Sequence, residues 1–254
     1  MDHAELTSAL RQAEQRRDEV MAFLSHDMRS PLSSILALLE LHSIDPASHP
    51  VAAVHSRIEA AARQALSLNE LFGNLAAAET RDLVCEAVDP SELCEAAMDA
   101  AWECASAQKV TIDVAPAPET AQPRLILADC GLLTQALGHL FTVMARHSPS
   151  GGRVALGVKA EHDTVSIEAA VQAAAAGAAS WEQLFTPDAP AADAASTTQS
   201  GAGRGIKRSG RKTTATSLEL ALVRIALARH GGRLICAFTP AGGRITAVLP
   251  RHHG

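Results

Sequence analysis

Apolar residues in the first part of the chain recur every three or four positions. Val20, Leu24, Met28, Pro31, Ile35 and Leu38 form one such series, and the spacing predicts a single long helix over residues 4–43. The series is a narrow seam rather than a broad apolar face, as in helices that pack against close neighbours. Pro31 lies inside it, where the missing amide donor predicts a kink just after His26. SIDPASHP at 43–50 combines two prolines with turn-forming Ser and Asp and reads as a loop. Ile58, Ala61, Ala65, Leu68, Phe72 and Leu75 then repeat the spacing over a second helix, 51–78. Two helices joined by a short loop predict an antiparallel hairpin. Its apolar stripe is too small for an independent core, so two copies are expected to pair as a homodimeric four-helix bundle.

From about residue 82 the period changes. LVCEAV and VTIDVAP read as strands around the helix SELCEAAMDAAWECASA, and RLILAD is a strand leading into the helix CGLLTQALGHLFTVMARH. RVALGVKA and TVSIEAAV alternate apolar and polar residues around EHD, predicting a hairpin. LELALVRIALARH is a helix stopped by Gly231 and Gly232, and RLICAFT with GRITAVLP closes the chain as a hairpin around PAGG. AAAAGAAS and the stretch from about 186 to 215 lack periodicity, and the latter reads as a disordered loop. The fold class is therefore an all-α helical hairpin at 1–80, followed by an α+β domain at 84–254.

Composition narrows the function. Hydrophobic residues make up 47% of the 254 residues but aromatics only 3%, so Ala and Leu supply most apolar surface and favour helix. A net charge of -6 argues against a general nucleic-acid binder. No apolar run approaches the roughly 18–20 residues that span a bilayer. The charged N-terminus lacks the apolar stretch of a secretory signal, so the expected location is cytoplasmic. Five scattered cysteines without a CxxC pair indicate neither a zinc site nor a disulfide framework; they read as buried free thiols. No metal site is expected.

The candidate chemistry lies in FLSHDMRSPLSSI, 23–35. A neutral imidazole accepts a phosphoryl group well near neutral pH, which makes His26 the candidate acceptor. Asp27 can orient the ring or take its proton, and Arg29 and Ser30 can meet phosphate oxygens. His3, His42, His49, His55 and His162 read as ordinary surface or partly buried side chains, and His252 and His253 as a solvated tail. The string resembles the phospho-acceptor box of bacterial sensor histidine kinases: His, acidic, two residues, a small polar residue, Pro, Leu. His26, Asp27, Ser30, Pro31 and Leu32 match it. The resemblance covers residues 1–80 and implies a dimerisation and phosphotransfer domain.

Elements after 82 resemble the ATP-binding domain that follows in that family, over most of 84–250, but the residues that would bind nucleotide differ. Where the family carries two Asn four residues apart, one helping to hold Mg²⁺, this chain has His139 and Val143; valine cannot ligate a hard cation. The adenine-binding Asp and two following glycines correspond to Val171, Ala173 and Ala175. The glycines of the phosphate loop correspond to Ala215, Ser217 and Glu219, the last a negative charge where polyphosphate would lie. Arg146 matches a basic position of the family's ATP site and reads as a surface cation. GAGRGIKR (201–208) has glycine spacing but lies about a dozen residues too early, with no helix expected to start after it, and reads as a flexible basic loop.

The leading expectation is a phosphorelay protein in which His26 exchanges a phosphoryl group with Asp residues of response-regulator receiver domains. Autophosphorylation from ATP is expected to be lost, with no cofactor in the protein itself. Two alternatives stay open. One is an active histidine kinase using atypical ATP and Mg²⁺ contacts. The other is a non-catalytic pseudokinase that binds a partner sensor kinase or a response regulator.

Overall fold

A computed structural model describes residues 28–115, 125–172, 178–185, 214–239 and 242–253. The chain divides into two compact units that meet at Asn74 and Leu75, inside a helix.

The first unit contains α1 (residues 28–44) and the larger part of α2 (Val51–Thr80). The stretch of the first helix expected before residue 28, and with it the kink after His26, lies outside the described residues. Pro31 sits in the first described turn of α1 and is buried. The loop between the helices closes on its own polar groups: His42 Nδ1 lies 2.7 Å from the His49 carbonyl, and Asp45 accepts from the Ser48 amide at 3.2 Å. Leu38, Val54, Ala61, Ala65 and Leu68 are buried, as the periodicity requires. Leu71 is buried while Phe72 and Ile58 are only partly so, because a 3.6-residue period drifts off any fixed three-four count. α2 also runs two residues beyond the expected end.

In the second unit the regular elements are β1 (Glu86–Val88), α3 (Pro90–Gln108), β2 (Thr111–Val114), β3 (Ile126–Ala128) and α4 (Cys130–His147). They continue with β4 (Arg153–Ala160), β5 (Thr164–Gln172), α5 (Ala178–Phe185), α6 (Thr214–Arg229), β6 (Arg233–Thr239) and β7 (Gly242–Pro250). Five strands form a mixed sheet in the order β2-β4-β5-β7-β6, parallel only between β2 and β4; β1 and β3 form a separate antiparallel pair. Alternation sorts the faces. Leu156, Ala169, Ile245 and Cys236 lie in register across four strands of one face, while Ala155, Ala170, Arg244 and Ala237 face the other way. On the latter face Lys159 donates to Glu168 at 2.8 Å and Arg153 to Asp113 at 2.7 Å.

Helices α3, α4 and α6 supply the other layer. α3 is capped by Asp89, which accepts from the Ser91 amide at 2.8 Å, with Pro90 in its first turn. Its buried stripe of Ala97, Ala101 and Ala105 lets α4 approach closely: a Cβ on Gly138 would stand 3.1 Å from Ala100 Cβ. α6 stops where expected. Gly231 takes a positive φ of 69°, and the Gly232 amide reaches back to the Leu227 carbonyl at 2.8 Å.

Three expectations are corrected. α6 begins at Thr214, not near 218, so a helix does start soon after residues 201–208, which lie outside the described residues with most of 186–215. Thr and Ser propensity is poor, but Thr216 is fully buried and tertiary packing overrides it. Second, of the five free cysteines only Cys94 is buried, its thiol pushed up to about 12 by burial; Cys85 is exposed. Third, the chain after β7 is not a loose tail: the His252 amide donates to the Leu125 carbonyl at 2.8 Å, and Arg251 Nη1 to the Glu161 carbonyl at 3.1 Å.

Candidate functional site

His26 and Asp27 lie outside the described residues. The next members of the acceptor box open α1: Arg29 and Ser30 are exposed, and the Ser30 carbonyl accepts from Ser34 Oγ at 3.0 Å. Beyond them α1 carries a second apolar row. Leu32, Leu36 and Leu39, spaced by four and three, are 48%, 68% and 51% exposed, so a single copy of the chain leaves them uncovered.

In the second unit the residues expected near a nucleotide fall into two groups. Val143 and Val171 are buried core residues of α4 and β5, and Val171 pairs with Val154 and Gly243. Neither offers a polar atom. Ala173 and Ala175 lie outside the described residues. The other group forms one cluster. Ala215, Ser217 and Glu219 are on regular helix at the start of α6, not in an open loop. Glu219 is turned inward and only 4% exposed. Arg146 of α4 holds it with a two-pronged pair, Nη1 to Oε2 at 2.9 Å and Nη2 to Oε1 at 3.1 Å. His139 Nδ1, two turns earlier on α4, stands 3.8 Å from Oε1. The reading of Arg146 as a surface cation is thus corrected: its charge is matched to a carboxylate 73 positions away.

Electrostatics follow from this geometry. Burial alone would raise the Glu219 pKa, but His139 and Arg146 outweigh it and hold the carboxyl below its ordinary value. His147, beside Arg146 and edge-on to Trp181 with ring centres 6.4 Å apart, is shifted down by burial and then by the Arg146 charge.

A second polar network was not legible in the sequence. Asp129 caps α4 by accepting from the Leu132 amide at 2.9 Å, and also accepts from Arg81 at 2.7 Å and the Val84 amide at 3.2 Å. Its own amide donates to His230 Nε2 at 3.0 Å, while His230 Nδ1 lies 2.6 Å from the Ala226 carbonyl. Arg229 donates to the Ala78 carbonyl at 2.7 Å. The last turn of α2 is thereby tied to the start of α4 and the end of α6. Asp before a helix is a capping signal; its partners 48 and 101 positions away are not.

Solved structures of similar shape are histidine kinases. The Acinetobacter baumannii histidine kinase AdeS matches 90% of this chain and 98% of its own, at 15% identity and a TM-score of 0.63. The histidine kinase ThkA, solved in complex with the response regulator protein TrrA, matches 99% of this chain and 68% of its own, at 15% identity and a TM-score of 0.67. No protein-family model and no curated protein matches the sequence. The chain has the histidine-kinase fold, in agreement with the resemblance carried by the acceptor box.

Proposed function

We propose that this chain is a histidine phosphotransfer protein built on the histidine-kinase fold, which relays phosphoryl groups without using ATP. A ring nitrogen of His26 attacks the phosphorus of an aspartyl phosphate on a receiver domain. The P–N bond forms as the P–O bond to the aspartate breaks, and the aspartate leaves as a carboxylate; the reverse step loads a second receiver. The receiver supplies its own acidic pocket and Mg²⁺. Asp27 orients the imidazole, and Arg29 and Ser30, exposed at the start of α1, meet the phosphate oxygens. A receiver as partner is in keeping with the ThkA–TrrA complex. The exposed row Leu32, Leu36 and Leu39 suits burial against a second copy, completing a four-helix bundle.

The observation that carries the loss of ATP chemistry is the Arg146–Glu219 pair. The cation on α4 is neutralised from within by the inward-turned Glu219, so Arg146 is not left to meet a polyphosphate. Val143 has no oxygen for a metal ion. These residues do not suit a Mg²⁺–nucleotide.

The test mixes purified protein with a ³²P-labelled receiver and, separately, with labelled ATP. Acid-labile, base-stable label moving from receiver to wild type but not to His26→Gln is expected, with none from ATP. Label on His26 from ATP alone would establish an active kinase. No transfer in either arm, with regulator binding intact in His26→Gln, would establish the non-catalytic role.

A further inference from the structure

Among the described residues, one face of α3 is left uncovered. The opposite side, with Ala97, Ala101 and Ala105, is buried against α4. Glu92, Glu95, Asp99 and Glu103 are all exposed, spaced by three, four and four positions. At about 100° per residue, they and Trp102 share one arc of similar width. Like charges three or four positions apart on a helix repel, and the last turn of α3 has no basic residue to offset them. Among the described residues none of the four carboxylates has a hydrogen-bond or ion-pair partner. Their field reaches inward: burial, and then Asp89 and Glu95, push the Cys94 thiol up to about 12. Trp102 is 68% exposed, and among the described residues no ring contact holds it. A helix face that repels itself and leaves an indole in water gains nothing within the chain; a cation covering it relieves both.

We infer that this face of α3 docks an arginine-rich segment of a partner protein. Guanidinium groups meet the carboxylates, and one lies flat on the Trp102 indole. Arginine is specified over lysine because its planar cation stacks on an aromatic ring and offers paired N–H donors to a carboxylate. From Glu92 to Glu103 the carboxylates run along about 16 Å of helix, the length of an extended segment of about five residues. One ion cannot span that distance, and among the described residues no group of three or more ligating side chains could hold a metal. Nucleic acid and anionic membrane are repelled by the same charge. The docking is independent of the relay reading.

Full-length protein is titrated into a dye-labelled hexa-arginine peptide and followed by fluorescence anisotropy, with unlabelled hexa-arginine, hexalysine and spermine as competitors. Hexa-arginine is expected to bind saturably, and more weakly as salt rises. Glu95→Gln, Asp99→Asn and Glu103→Gln together are expected to weaken binding about tenfold, the sum of three exposed ion pairs. Trp102→Ala is expected to weaken it roughly threefold, the loss of one exposed cation–π contact. Glu40→Gln, Glu70→Gln and Glu79→Gln together, at exposed positions of α1 and α2, change the net charge equally and are expected to leave affinity within about twofold of wild type. Circular dichroism checks that each variant is folded. No saturable binding, equal loss in both triple variants, or wild-type affinity in Trp102→Ala would overturn the inference. Hexalysine or spermine competing as well as unlabelled hexa-arginine would overturn the arginine segment as occupant. A second copy as occupant would show in light scattering as a smaller mass for the α3 triple variant than for wild type, and would overturn it likewise.

Discussion

Arg146→Ala probes the charge cluster that joins α4 to α6. The substitution leaves Glu219, whose side chain is 5% exposed, without its bidentate partner. Stripping one member from a buried pair costs about 3–5 kcal/mol, because the remaining charge stays desolvated. Arg146 is itself 35% exposed, so removing it admits water to Glu219 and brings the cost below that range, to about 2–3 kcal/mol. At roughly 2–4 °C per kcal/mol for a domain of this size, the expected fall in Tm is about 4–12 °C. A second variant separates loss of the pair from loss of packing. Arg146→Met combined with Glu219→Leu removes both charges at similar volume and is expected to recover most of the lost stability. Thermal and urea unfolding followed by circular dichroism at pH 7 read both. An Arg146→Ala protein within about 0.5 kcal/mol of wild type, or a double variant no better than the single, would refute the account of Glu219 as a buried, paired carboxylate.

Two further predictions follow from the same reasoning. The Glu219 and Asp129 carboxyls are held below their ordinary values in the folded protein, Glu219 by His139 and Arg146 against burial, and Asp129 by the Leu132 and Val84 amides and then Arg81 against burial. Such groups contribute stability above the unfolded carboxylate range, lost as pH falls through the folded values. Urea midpoints should therefore drop steeply below about pH 4, and less steeply in Glu219→Gln, as a pH series of unfolding curves would measure. On the proposed pairing of two copies through α1, wild type is expected to be a dimer in light scattering and Leu36→Glu, which places a charge in the exposed row, a monomer with its helical signal intact; a monomeric wild type, or a variant dimer of unchanged mass, would refute that pairing.

Much of the fold was readable because it rests on local rules. The alternation of β4 and β5, the glycine stop at 231–232 and the seam at Ala61, Ala65 and Leu68 each depend on residues a few positions apart. The misreadings share one cause. Thr214 to Ser217 looked like loop because Thr and Ser propensities are poor, yet the burial of Thr216 holds them in helix. His252 looked like tail because nothing nearby in sequence shows that its amide meets Leu125.

The candidate site divides in the same way. The acceptor string at 23–35 is contiguous, so the expectation for its chemistry needed only neighbouring letters. Likewise, the expectation that Val143, Ala215 and Glu219 stand where the resembled family has metal-binding and glycine positions needed only a comparison of motifs. What Arg146 and Glu219 do with each other, and that His230, Asp129 and Arg81 form one network, was decided by the docking of α6 against α4. Those partners lie 73, 101 and 48 positions apart. Local sequence carries backbone preference and burial pattern, but the pairing of distant charges follows only from how packed elements bring them together.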